Sequence, residues 1–223
     1  MKQGLPTSFI SLRIIRYDNQ WLLHKFAPRF SVPLMQRFFF RIFIKLLGWK
    51  ISGSLPGGIK KAVIIAAPHT SGWDFIIGRA GLYKIGLKKV SFLIKKEMFK
   101  FPVGPVIKSW GAIPIDRGRN NTTIQMVSKM FEEKDELLLL ITPEGTRKYT
   151  NNWKKGFYHI ALNANVPIVL CFVDYAKKEG GIGPTIYPSG DYEADFKIIT
   201  EFYKSKTAKF PENFNLSPQY QKK

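Results

Sequence analysis

Cysteine is almost absent from this chain. Cys171 stands alone among 223 residues, which excludes an intrachain disulfide and fits a reducing compartment. Histidine is scarce too. His24, His69 and His159 lie far apart, and with no H-E-x-x-H and no cysteine pair the sequence offers no ligand set for a metal, so neither a metal nor a bound cofactor is expected. Long apolar runs are missing, and none approaches the ~20 residues of a transmembrane helix. Arg13, Arg16 and Asp18 break up the apolar residues of positions 1–19, leaving no signal-peptide core, so a cytoplasmic location is expected. Acidic residues are the last deficit. Sixteen Asp and Glu face 35 Lys and Arg, a formal charge of +19, so partners should be polyanionic. No helix-turn-helix, zinc-finger or RNP-type pattern accompanies that charge, and specific nucleic-acid binding is not expected.

What is present alternates. Apolar runs at 62–67, 90–94, 113–116, 137–142 and 167–174 are separated by amphipathic stretches such as 122–133 and 153–165. Continuous apolar strands with helices between them predict an α/β fold, a mostly parallel central sheet flanked by helices. An edge strand at 182–187 and a final helix at 194–204 complete it. Gly53-Ser54-Leu55-Pro56-Gly57-Gly58 separates an N-terminal basic and aromatic helical segment, 1–50, from the α/β domain of 51–210, and 211–223 reads as a loose tail.

Within the N-terminal segment, Arg37, Arg41 and Lys45 recur every fourth residue as one basic stripe, with Phe39, Phe40 and Phe43 among the apolar residues around it. Too short to span a bilayer, this amphipathic stretch suits a helix lying in the headgroup plane with its cations toward lipid phosphates. The alternative is a buried helix whose three charges reach solvent.

Three polar clusters follow predicted strands and so fall on one edge of a parallel sheet, where open α/β folds place their ligand crevice. The first is Pro68-His69-Thr70-Ser71-Gly72-Trp73-Asp74. Its imidazole suits a general base and its carboxylate an orienting partner, although on a regular helix the two would point roughly 140° apart. A strand-to-helix turn closes that gap, with Thr70 or Ser71 as N-cap. The second cluster is Gly111-Ala112-Ile113-Pro114-Ile115-Asp116-Arg117 and the third Pro143-Glu144-Gly145-Thr146-Arg147. Arg117 and Arg147 carry planar guanidinium groups suited to phosphate. A serine hydrolase fits poorly, since Ser71 lacks a G-x-S-x-G elbow. Cys171 lies in an apolar strand as a buried small residue, and His159 is expected to pack in a helix.

Those blocks, followed by Val166-Pro167-Ile168-Val169, resemble in order and rough spacing the four sequence blocks of the glycerolipid acyltransferases, a family that includes the bacterial 1-acylglycerol-3-phosphate acyltransferases. The resemblance runs from about Leu47 to Asp174, and is strongest to a compact bacterial subgroup with P-H-T-S-x-W-D and W-K-x-G-F-Y, here Trp153 to Tyr158. It implies transfer of a fatty acyl group, in phospholipid synthesis, from a coenzyme A or acyl-carrier-protein thioester to a hydroxyl of a lysophosphatidic-acid-like acceptor. By the same resemblance His69 and Asp74 are the catalytic pair, while Arg117, Glu144, Gly145, Thr146 and Arg147 belong to the acceptor-phosphate site. Lys95, between the first two blocks, is a further candidate ligand, and backbone N–H groups near Gly145 or at the helix start after His69 are candidate oxyanion donors. An enzyme with acyl-bearing substrates would sit peripherally on an anionic membrane, at its cytoplasmic face. Two alternatives stay open: acylation of another lipid hydroxyl or an amine, and a non-catalytic basic lipid- or nucleic-acid-binding protein on the same scaffold.

Overall fold

The computed structural model describes residues 34–115 and 120–217, without the side chains of 34–37 and 120–122. Arg117 therefore lies outside the described residues, as do His24 and the side chain of Arg37. In chain order the elements are α1 (Leu34–Leu46), β1 (Lys50–Ser52), β2 (Lys61–Ala67), α2 (Gly72–Lys84), β3 (Val90–Lys95), a 3-10 turn (Lys96–Phe99) and α3 (Val103–Ser109). They continue with β4 (Ala112–Ile115), α4 (Asn120–Glu133), β5 (Leu137–Ile141), α5 (Gly156–Asn163), β6 (Ile168–Asp174), β7 (Glu179–Ile186), α6 (Tyr192–Lys204) and a 3-10 turn (Pro211–Asn213).

The seven strands form one sheet in the order β1-β7-β6-β2-β5-β3-β4. Strands β6, β2, β5, β3 and β4 are mutually parallel, β7 runs against β6, and β1 follows β7. The mostly parallel α/β expectation therefore holds. In place of the edge strand expected from Ile182 to Tyr187, β7 begins at Glu179 and lies inside the sheet, because the short β1, invisible as an apolar run, pairs along its outer side.

Alternation along the strands sorts two apolar layers. Ala62, Ile64, Val169 and Cys171 pack with Leu82 of α2, while Val63, Ile65, Ile168 and Leu170 pack with residues of α4, α5 and α6. The first face continues at both flanks of α2. Ile44 of α1 joins Ile77 and Ala80 on one side, and Ile107 of α3 joins Phe92, with Phe75 against them, on the other. Helices α1, α2 and α3 thus share a face, with α2 in the middle. Both sides of β2 and β6 are covered, as their uninterrupted apolar sequences require.

Two expectations need correction here. His159 is exposed, because the inward face of α5 is made by Phe157, Tyr158, Ile160 and Ala161. Residues 211–217 are not loose. Asn215 and Ser217 are buried; the Trp153 indole N–H donates to Asn215 O at 2.8 Å, its backbone N–H donates to Ser217 Oγ at 3.2 Å, and Asn215 Nδ2 donates to Tyr149 OH and Thr150 O.

Candidate active site

Parallel strands deliver their C-terminal ends to one edge, and there the structure gathers His69 after β2, Lys95 at the end of β3, Glu144 after β5 and Tyr175 after β6. Ser71 is the N-cap of α2: its Oγ accepts from Trp73 N–H at 3.1 Å while Asp74 accepts from Ser71 N–H at 2.7 Å, a reciprocal capping box. That turn also lets histidine and aspartate meet. His69 Nδ1 lies 3.4 Å from Asp74 Oδ2, the imidazole one-fifth exposed and the carboxylate almost wholly buried.

Asp74 is held on every side. Oδ2 accepts from Thr70 N–H at 2.7 Å as well as from Ser71, and Oδ1 accepts from Ser71 Oγ at 2.8 Å and Tyr175 OH at 2.7 Å. Burial alone would raise its pKa, but the hydrogen bonds from His69, Tyr175 and Ser71 outweigh it and leave the carboxyl below its usual range. Asp74 is thus anionic at neutral pH, with Nδ1 of His69 toward it and Nε2 as the nitrogen able to take a proton.

Glu144 contributes differently. Its side chain is buried, and Oε1 accepts the backbone N–H of His69 at 2.9 Å, so it braces the loop carrying the imidazole. Oε2 is buried with no hydrogen-bond partner among the described residues. Burial, reinforced by the Asp74 charge, pushes this carboxyl up to about 8 despite the His69 N–H. Glu144 is therefore largely protonated at neutral pH, which leaves Asp74 as the carboxylate charge beside the imidazole among the described residues.

Gly145 turns with φ +67°, and a Cβ there would meet Lys154 Cε at 2.8 Å, so glycine fits both the backbone and the space. Thr146 Oγ1 accepts from Lys148 N–H at 3.2 Å. Arg147 is exposed and reaches the first turn of α2, its Nη1 3.4 Å from where a Gly72 Cβ would stand. Lys95 is exposed at the same sheet edge. Four of the candidate oxyanion donors are engaged within the loops: Gly145 N–H bonds Thr142 O, Thr70 and Ser71 N–H bond Asp74, and Trp73 N–H bonds Ser71 Oγ. A narrow slot of about 50 Å³, walled by Phe75, Leu82, Phe92, Leu140 and Phe172 among others, leads from His69 and Asp74 between α2 and the sheet.

A family model, Acyltransferase, matches residues 50–173, more than half of the chain. The chain belongs to the acyltransferase family. Members of it named 1-acyl-sn-glycerol-3-phosphate acyltransferase are similar in sequence. The human beta enzyme is 30% identical over 48% of this chain and 39% of its own length, and the Saccharomyces cerevisiae enzyme 32% identical over 49% and 38%. The chain thus spans about two-fifths of the length of these relatives. A solved structure titled 1-acyl-sn-glycerophosphate (LPA) acyltransferase, PlsC, from Thermotoga maritima superposes with a TM-score of 0.51 at 17% identity, covering 86% of this chain and 83% of that one, so the fold is shared. Tyr175 lies just past the family match. Its role was not read from the sequence, although its place at the end of β6, on the edge that carries the other blocks, could have marked it. The segment after α6 was missed as well. Phe210 N–H donates to Thr70 Oγ1 at 3.2 Å and Tyr175 N–H to Thr207 O at 2.9 Å, so this strap holds both the His69 loop and the aspartate's partner.

The N-terminal helix divides its aromatics in a way the sequence did not. Phe40 packs on Tyr83 and Phe43 stacks on Trp73, both turned toward α2, which corrects their place among the membrane-facing residues. Phe38 and Phe39 are each 63% exposed and Leu46 is 80% exposed, alongside Arg41 and Lys45. Among the described residues no helix is long and apolar enough to cross a membrane, and no group of three or more potential metal ligands occurs.

Proposed function

We propose that this chain transfers an acyl group from a thioester to the hydroxyl of a lysophosphatidic-acid-like acceptor. The observation that carries the reading is the His69–Asp74 pair at 3.4 Å, with its carboxylate anchored by backbone, serine and tyrosine donors. His69 Nε2 takes the acceptor's hydroxyl proton as the alkoxide oxygen attacks the thioester carbonyl. The tetrahedral adduct then expels the thiolate, which receives that proton from the imidazolium, and Asp74 stabilises the imidazolium while it exists. No covalent enzyme intermediate is needed, because the thioester is already activated. Arg147, over the first turn of α2, is placed for the acceptor phosphate, and the apolar slot suits a hydrocarbon end. The relatives' names favour this acceptor.

The same reading places the protein on an anionic membrane surface. Besides Phe38, Phe39 and Leu46 of α1, the three-helix face exposes Trp73 and Ile76 of α2, and Met98, Phe101 (89% exposed), Val103 and Val106 around α3, interspersed with Lys96 and Lys100. Apolar side chains among lysines match an interfacial lipid contact. The test is thiol release by purified protein given acyl-CoA or acyl-carrier protein and lysophosphatidic acid. His69→Ala should lower turnover by ~10²–10⁴ with the fold intact; wild-type turnover in that variant refutes the base assignment.

A further inference from the structure

A second groove lies beside the catalytic pair. It encloses about 270 Å³ between the end of α1, the start of α2, the β6–β7 turn and the C-terminal strap, and is lined by Leu47, Trp49, Trp73, Ile77, Tyr175, Lys178 and Lys209. Lys178 and Lys209 stand beyond the family match, so the four-block resemblance does not account for it. Tyr175 belongs to both places, forming a wall of the groove while its hydroxyl donates to Asp74.

The groove combines three aromatic side chains, two aliphatic ones and two cations. Trp49 meets Tyr175 edge-on at 5.1 Å, and Trp73 is 45% exposed although Phe43 stacks on it. Lys209 Nζ lies 5.1 Å from the Trp73 ring centre and 5.9 Å from that of Tyr175, and Lys178 Nζ reaches Leu47 O at 3.4 Å. Among the described residues neither ammonium has a carboxylate partner. Two uncompensated ammoniums ask for an anion, and exposed indole and phenol faces ask for a planar ring. An aliphatic chain would leave both ammoniums without a counter-charge.

Resting on the acyl-transfer reading above, we propose that this groove takes the nucleotide end of a coenzyme A thioester, its phosphates on Lys178 and Lys209 and its purine against Trp73 and Tyr175. Both substrates of the proposed reaction bear phosphate. Arg147, across the α2 start, serves one of them; Lys178 and Lys209 serve the other, and Tyr175 joins the donor's groove to the catalytic aspartate. A phosphate offers Lys209 a stronger, charge-assisted partner than an aromatic face. Its departure from Trp73 uncovers the indole for stacking.

The experiment is a titration of the full chain with adenosine 3′,5′-bisphosphate, followed by tryptophan fluorescence. It needs neither acyl group nor acceptor. Saturable quenching is expected in the wild type, weakened about tenfold or more in K178E/K209E and in the milder K178A/K209A, and unchanged in R147A. Circular dichroism checks that each variant is folded. Absence of saturable binding, equal binding in both lysine double variants, or a comparable loss in R147A overturns the proposal. Turnover of an acyl-carrier-protein thioester without nucleotide binding also overturns it while leaving acyl transfer standing. Failure to acylate any hydroxyl acceptor sinks the enzymatic reading instead, whatever the nucleotide does.

Discussion

Replacing Glu144 with glutamine should remove a pH dependence of stability that the wild type carries between pH 5 and 8. The folded chain keeps a proton on this carboxyl up to about pH 8, whereas an unfolded chain releases it near 4.5. Stability from this group is therefore fully present below about pH 4.5, falls as pH rises, and levels off above about 8. At about 1.4 kcal/mol for each tenfold change in proton affinity, the whole span amounts to about 5 kcal/mol. That is a large part of the ~5–15 kcal/mol of a typical domain. Asp74 does not confuse the window, because its pKa is lowered in the folded state and its contribution is lost only as pH falls below the usual carboxylate range. Glutamine is neutral at every pH, and its carbonyl can still accept the His69 N–H that Glu144 Oε1 now holds at 2.9 Å. Urea unfolding at half-unit steps of pH supplies the comparison. The wild-type curve should slope downward by up to about 1.4 kcal/mol per pH unit relative to Glu144→Gln; parallel curves would refute a buried neutral acid at this position. Glu144→Ala, which strands the His69 N–H, should cost a further ~1–3 kcal/mol throughout the pH range.

Tyr175→Phe deletes one donor to Asp74 and should lower kcat about tenfold with KM for the acceptor unchanged, since a hydrogen bond to a charged group is worth ~1.5–3 kcal/mol; a rise in KM alone would count against a positioning role. Phe38→Asp and Phe39→Asp should each weaken flotation with anionic vesicles about tenfold or more, burial of one such ring being worth ~1.5–3 kcal/mol, and unchanged flotation would remove α1 from the lipid contact. Asn215→Ala loses the bonds to Tyr149 OH and Thr150 O and should cost ~1–2 kcal/mol in urea unfolding while making 206–217 a site of limited proteolysis. Equal protease resistance would contradict the strap.

The parallel sheet was legible because β2 and β6 are buried on both faces, and β5 on one with its other face half-covered, so all three read as unbroken apolar runs, and each run pointed to the polar cluster that follows it. The His69–Asp74 meeting was legible for the same reason, once Ser71 was available as a cap. What escaped was set by contacts distant in sequence. Three-residue β1 has no pattern of its own and exists through its pairing with β7. Phe40 and Phe43 are chemically like Phe38 and Phe39, and only the position of α2 decides which pair is covered. Glu144 entered the expected acceptor site through the family resemblance; its inward turn depends on a backbone N–H 75 positions away, which no local pattern shows.

The bond from Phe210 to Thr70 spans 140 positions, and that from Asn215 to the Trp153 indole spans 62. A nascent chain therefore finishes its sheet core, β2 to β6, before the residues that clamp the reactive loops have left the ribosome. The clamp on the His69 loop forms only once residues 206–217 have emerged, and a stop codon just after α6 would yield a product with a complete sheet but an unclamped histidine loop.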